Sequence, residues 1–179
     1  MARFVSLSVL LIVILAASSA NTIACSCGSE APRPGVTMEQ FRKEQREYFL
    51  NKFNGSAFVG TIIKRQRVQV DWIAYDNNGR PVTTEYYRYT VRISDYWFGV
   101  DSKIVFVYGP PEEVTEGRYK HHDSCGFTLN KGQIYFFTPR FVKNNLDINM
   151  CDYARGGSDP GGYRGAEFRK IMGEPKRFY

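Results

Sequence analysis

Cys25-Ser26-Cys27 is the feature that most limits what this chain can become. Two cysteines one residue apart cannot bond each other without straining the S–S geometry, so each needs a distant partner. Only Cys125 and Cys151 remain. Two pairings are then open: 25–125 with 27–151, or 25–151 with 27–125. Either one staples the start of the domain to its far half. Each closes a loop of roughly 100 residues, for which chain entropy gives about 4–5 kcal/mol as an upper estimate.

The segment ahead of the cysteine pair reads as a secretory leader. Arg3 supplies a positive start, residues 5–17 are almost unbroken apolar, and small residues follow. Two cleavage points fit, after Ala20 (with Ser18) and after Ala24 (with Thr22). A lipoprotein signal with Cys25 lipidated is the third reading, with Thr22 where Leu is usual. We adopt cleavage after Ala24: a signal peptide at 1–24 and one domain at 25–179, its core at 25–151 and a tail at 152–179. Four cysteines in an exported domain fit two disulfides. No later stretch reaches about 18 apolar residues, so no membrane span is expected. The expected location is extracellular.

Without the leader the chain keeps 23 Lys and Arg against 18 Asp and Glu, because Arg3 is the one charge removed. Such a mild excess aids solubility, or draws the protein to anionic matrix polysaccharide, acidic proteins or membrane surfaces. Lys64, Arg65 and Arg67 stand close together, and Arg164, Arg169, Lys170, Lys176 and Arg177 crowd the tail. These are the candidate contacts for a heparin-like polyanion; a solvated face is the plainer reading. An exported chain gives no reason to expect nucleic acid.

After Pro32, Pro34 and Gly35, Thr37 and Gln40 have capping-box spacing. Met38, Phe41, Tyr48 and Phe49 share one side at helical period, which predicts a helix over 38–50 docked on the core by that side. From residue 57 the period becomes two. A long bent strand is expected to residue 74, then a turn at Asp76-Asn77-Asn78-Gly79, then a return over 82–94. The tip of so long a hairpin should stand clear of the domain. Further strands are expected at 103–108 and 133–138, a short fifth at 126–129, and a helix at 166–172. Antiparallel strands with one or two helices in about 155 residues suggest a small closed barrel, which hides strand edges. An aromatic content of 15% is enough to fill it. Asn54-Gly55-Ser56 is an N-glycosylation pattern just ahead of the first long strand.

Catalysis has little support. His121 and His122 are the only histidines, without metal-ligand spacing, and no nucleophile elbow or phosphate-cradling loop occurs. No cofactor and no enzymatic activity are expected. The mature N-terminus is different. An α-amino group with a pKa of about 7.7–8.0 is partly neutral at physiological pH. Its nitrogen and the carbonyl oxygen of the same residue can close a five-membered chelate on one metal ion. A catalytic zinc keeps an open, water-filled position that such a chelate could take. A terminus fixed by two disulfides would lose little entropy on docking. Ser26 would then point away from the cysteines, toward the specificity pocket of the bound enzyme.

CSC after a leader, GSAFVGTIIK, YTVRISDYWFGVDSKIVFVYG, SCGFTLNKGQIYFF and the closing MC resemble the netrin-like module. The nearest branch is the N-terminal domain of the tissue inhibitors of metalloproteinases. The resemblance covers most of residues 25–151. It implies a mainly β fold: an OB-like five-stranded closed barrel with flanking helices. It implies the disulfides Cys25–Cys125 and Cys27–Cys151. It implies a monomeric inhibitor of secreted zinc metalloproteases, in which Cys25 chelates a zinc that belongs to the protease. Ser26 would enter the primary specificity pocket, and Asp123, Ser124 and Cys125 would lie beside Cys25 and Cys27 in the contact ridge. The hairpin tip at Asp76, Asn77, Asn78 and Gly79 would add side contacts. No cysteine lies between Cys27 and Cys125 or after Cys151, so the family's third barrel disulfide has no counterpart. The alternative is a non-inhibitory netrin-like module that binds matrix polysaccharide or another extracellular protein.

Overall fold

A computed structural model describes residues 32–110, 127–149, 151–155 and 162–178. The described residues are mainly β. Helix α1 (Met38–Asn51) leads into β1 (Ala57–Tyr75) and β2 (Pro81–Phe98), followed by β3 (Ile104–Gly109) and β4 (Ile134–Phe137). Three short strands come next, β5 (Arg140–Val142), β6 (Asn145–Asp147) and β7 (Tyr153–Arg155), and then helix α2 (Gly162–Met172). No described helix is long and apolar enough to cross a membrane.

Helix α1 starts where the capping box places it. The Thr37 hydroxyl accepts from the Gln40 amide, and the Gln40 side chain accepts from the Thr37 amide. Its apolar side docks less than its spacing predicts. No residue of α1 is fully buried, and Met38 and Tyr48 remain exposed. Phe49 makes the principal contact, edge-on to Phe168 of α2 at 4.8 Å between ring centroids.

All seven strands form one sheet, in the order β5-β6-β3-β2-β1-β4-β7. It curls because β1 is irregular. The β1–β2 register shifts at 57/58, 59/60, 62/64 and 70/74, and each bulge bends and twists the strand. Gly60 allows the tight approach at one of them, since a Cβ there would lie 2.5 Å from Val91 Cγ1. β1 also pairs with β4 from Phe58–Phe137 to Thr61–Ile134. The register continues past the end of β4: Gly55 bridges Arg140, Ser56 N donates to Pro139 O, and Phe141 N donates to Asn54 O. β5 turns back into β6, which runs parallel to β3 at Val107–Leu146 and Tyr108–Asp147.

The concave side holds the main core, including Phe58, Ile62, Tyr89, Val91, Phe137 and Ile148. The expected strand at 126–129 is not there: residues 127–130 are irregular, and Gly126 lies outside the described residues. Phe127 and Leu129 are buried all the same. Tyr89 holds this coil in place, its hydroxyl accepting from Leu129 N and donating to Phe127 O. Burial pushes the Tyr89 phenol well above its ordinary pKa, so it stays a neutral donor. A second cluster on the other side joins Val59, Trp97 and Phe136 to Phe168 of α2. Trp97 Nε1 donates to Gly173 O at 2.8 Å and ties down the end of that helix.

Candidate functional site

Most of the expected contact ridge, namely Cys25, Ser26, Cys27, Asp123, Ser124 and Cys125, lies outside the described residues, as do His121 and His122. Cys151 is within them. It is disulfide-bonded, and its partner lies outside the described residues. The backbone around it is tightly held. Cys151 N donates to Asn149 Oδ1 at 2.7 Å, and Asn149 N donates to Asp152 Oδ2 at 2.9 Å. Arg164 reaches back from α2 to donate to Cys151 O at 2.7 Å.

The hairpin tip is a built turn. Asp76 accepts from Asn78 N at 2.8 Å, from Arg80 N at 2.9 Å and from Arg80 Nε at 2.9 Å. The Arg80 amide, with the Asn78 amide and the Arg80 guanidinium, holds the Asp76 carboxyl below its ordinary pKa although it is only half-buried. Gly79 sits at φ +75°, a left-handed value a side chain would resist, and its amide donates to Asp76 O. Asn77 and Asn78 face solvent on this scaffold. β3 accompanies β2 only as far as Tyr87. The six steps from Tyr87 to Pro81 carry the two-stranded tip roughly 20 Å beyond that support.

The basic residues are less available than their spacing suggests. Arg65 and Arg67 place their guanidinium carbons 5.0 and 5.6 Å from the centroid of the Tyr87 ring. Arg67 also pairs with Glu85 at 3.1 Å. Lys64 stands opposite Thr90 and is exposed, on the other side of the strand from Arg65. In the tail Lys170 pairs with Glu167, and Arg177 pairs with Asp95. Arg164 is committed to the Cys151 carbonyl. Arg65 and Arg67 thus meet over one ring, while Lys170, Arg177 and Arg164 are each held by a neighbouring group.

The structure brings together a pair that the sequence does not announce. Asp147 on β6 and Asp152 lie close enough for the Asp152 charge to raise the proton affinity of Asp147. Burial, helped by the Asp152 charge, pushes Asp147 up to about 7, and its Oδ1 is buried without a hydrogen-bond partner among the described residues. Burial also raises Asp152, against the amide of Asn149 and the charges of Arg140 and Arg164. Two aspartates flanking a cysteine are visible in the sequence, but their burial is not. No group of three potential metal ligands occurs among the described residues.

The Asn54-Gly55-Ser56 triplet has a structural reason of its own. Gly55 bridges to Arg140, where a Cβ would lie 2.2 Å from Pro139 O. Ser56 is fully buried and donates to Gly99 O at 2.6 Å. Asn54 is exposed. A scan against protein-family models finds no match for the chain, and a search of curated proteins finds none either.

Proposed function

We propose that the protein is a secreted inhibitor of zinc metalloproteases, built on a netrin-like barrel like that of the tissue inhibitors of metalloproteinases. The parallel pairing of β3 with β6 carries this reading. In an OB-like barrel a meander of three strands is closed by a returning pair. One member lies parallel to the third strand, and the other lies against the first. Here β6 holds the first place, and β4 continued by β5 holds the second, along 58–61 and then Gly55–Arg140. That succession supports five strand paths and closure. The bonded Cys151 supports a disulfide staple to the N-terminal region, and the family's pattern assigns it to Cys27, leaving Cys25 for Cys125.

On this reading leader cleavage after Ala24 frees the Cys25 amine. Nitrogen and carbonyl oxygen of Cys25 displace the water on the protease's zinc. Ser26 fills the adjoining pocket, and Asp123, Ser124 and Cys125 widen the ridge. The stapled terminus and the pre-built tip reduce the ordering cost of binding. The test is titration of the mature protein against secreted zinc metalloproteases. Block at one-to-one stoichiometry is expected, and it should vanish when one Ala precedes Cys25 or the amine is acetylated. If both altered forms inhibit as well as the parent, the chelation mechanism is wrong.

A further inference from the structure

The surface beside Asn54 has a shape that neither the inhibitory reading nor the sheet requires. An open hollow of about 290 Å³ is lined by Asn54, Phe141, Lys143 and Asn144. The backbone of Asn54 is fixed, because its carbonyl accepts from Phe141 N at 2.9 Å. The same strand steers its side chain: Asn54 Nδ2 lies 3.5 Å from Phe141 O. The far wall is the β5–β6 turn, with Lys143 at φ 45° and Asn144 at φ 66°. A pair of left-handed residues makes a tight two-residue hairpin with little room to move. Asn54 begins an N-glycosylation triplet, and it is itself one of the residues that line the hollow.

We propose that Asn54 carries an N-linked glycan and that its first sugar occupies this hollow, against Phe141 and the Lys143–Asn144 turn. In the reaction a host transferase moves an oligosaccharide from a lipid-linked diphosphate donor. The bond from sugar C1 to the donor's phosphate oxygen breaks, and C1 bonds to Asn54 Nδ2. The amide gives up one proton, and the lipid diphosphate leaves. The modified amide keeps one N–H, so the contact with Phe141 O survives. The electron-rich face of the Phe141 ring suits the C–H edge of a sugar, and the Asn144 amide supplies hydrogen-bonding groups. Timing follows from the same geometry. Ser56, whose hydroxyl completes the acceptor triplet, is 0% exposed and bonded to Gly99, and Gly55 is paired with Arg140. The glycan is therefore added before residues 54–56, just ahead of β1, settle against β5.

The proposal rests on export of the chain and is independent of protease inhibition. The test is secretion of the full chain from eukaryotic cells, with the intact mass measured before and after peptide N-glycosidase treatment. One glycan is expected on the wild type and none on Asn54→Gln, a change that leaves the Ser56–Gly99 contact in place. The folded protein made without a glycan in bacteria, which keeps the Asn54 amide, should be a poor acceptor for purified oligosaccharyltransferase, and the same chain unfolded and reduced a good one. Secreted wild type without a glycan overturns the assignment. Deglycosylation should lower the melting temperature of the wild type by a few degrees and leave Phe141→Ala unmoved. Equal shifts in the two proteins, or no shift in the wild type, overturn the seating of the sugar in the hollow. Inhibition measured on the same samples bears only on the inhibitory reading, so the two can fail separately.

Discussion

Arg177 Nε donates to Asp95 Oδ1 at 3.0 Å, and the two ends of this bond lie in different surroundings: the Asp95 side chain is 6% exposed, the Arg177 side chain 77%. The tail thus brings a solvated cation to a buried anion on β2. It also lays Lys176 along Tyr96 through two backbone bonds and stacks Phe178 on the Tyr96 ring at 4.5 Å. This covers an edge of β2 that β3 leaves bare beyond Arg92. A buried charge stripped of its partner is costly, though the exposure of Arg177 screens part of the effect. Arg177→Ala should lower stability by about 1–2 kcal/mol in urea unfolding. Deleting 174–179 should cost more, and should promote association through the uncovered strand edge, visible by light scattering.

Asp147 gives the protein a stability that depends on pH near neutrality. Burial and the Asp152 charge hold its proton in the folded state up to a pKa of about 7, against an ordinary value of 3.8. The folded form binds the proton more tightly than the unfolded chain. This group's contribution is therefore most favourable below about pH 4, and is lost as pH rises toward 7. Asp152 is raised as well and acts with the same sign. Asp147→Asn should be more stable than the wild type at pH 8, by about 1–2 kcal/mol after allowing for solvent screening. Its stability should change less between pH 5 and pH 8. Denaturation midpoints across that range check both points; a wild type whose midpoint rises with pH there would contradict the assignment.

What could be read in advance was whatever the chain specifies locally. The capping box at Thr37 and Gln40 and the turn at Asp76–Gly79 each rest on residues within four positions of one another, and both stand where the spacing puts them. β1 and β2 follow from a long period-two pattern. β5, β6 and β7 are three residues each, too short for a period to register. They pair because the curled sheet brings Gly55, Val107 and Tyr135 to them. Their turn uses Lys143-Asn144, without the Asn-Gly signature that betrays such hairpins. Phe127 and Leu129 mislead for a related reason. Their apolar alternation matches a strand, but it serves a coil pinned by Tyr89. At the site, charge spacing alone could not foresee that Arg177 turns to Asp95 or that Arg67 turns to Glu85.

Two left-handed positions should respond with opposite signs. Gly99 sits at φ +76°, with Gly55 O 2.4 Å and Ser56 Oγ 2.7 Å from where a Cβ would be. Gly99→Ala adds a strained backbone and a clash in a place that cannot open, and should cost about 2–4 kcal/mol. Lys143 at φ 45° already bears such strain on an exposed turn. Lys143→Gly relieves it while adding freedom to the unfolded chain, and the balance should be a gain of about 0.5–1 kcal/mol. Guanidinium melts of the two variants, compared at equal m-values, test the pair.

Asp76 offers a way to separate the binding role proposed for the tip from the tip's role in folding. Its carboxylate organises the turn by accepting from Asn78 N, Arg80 N and Arg80 Nε, yet it lies on the exposed end of a two-stranded ribbon. Asp76→Ala should therefore loosen Asn77 and Asn78 while leaving the melting temperature nearly unchanged. If the tip makes side contacts on a protease, the loosened turn must be reordered on binding, and that cost appears in the affinity. Inhibition should weaken several-fold through a faster off-rate, with stoichiometry unaltered, because chelation by Cys25 is untouched. Asp76→Asn keeps two acceptor positions on the turn amides and should recover part of the loss. A variant that inhibits as strongly as the wild type, with the same off-rate, would remove the tip from the contact surface and confine binding to the stapled terminus.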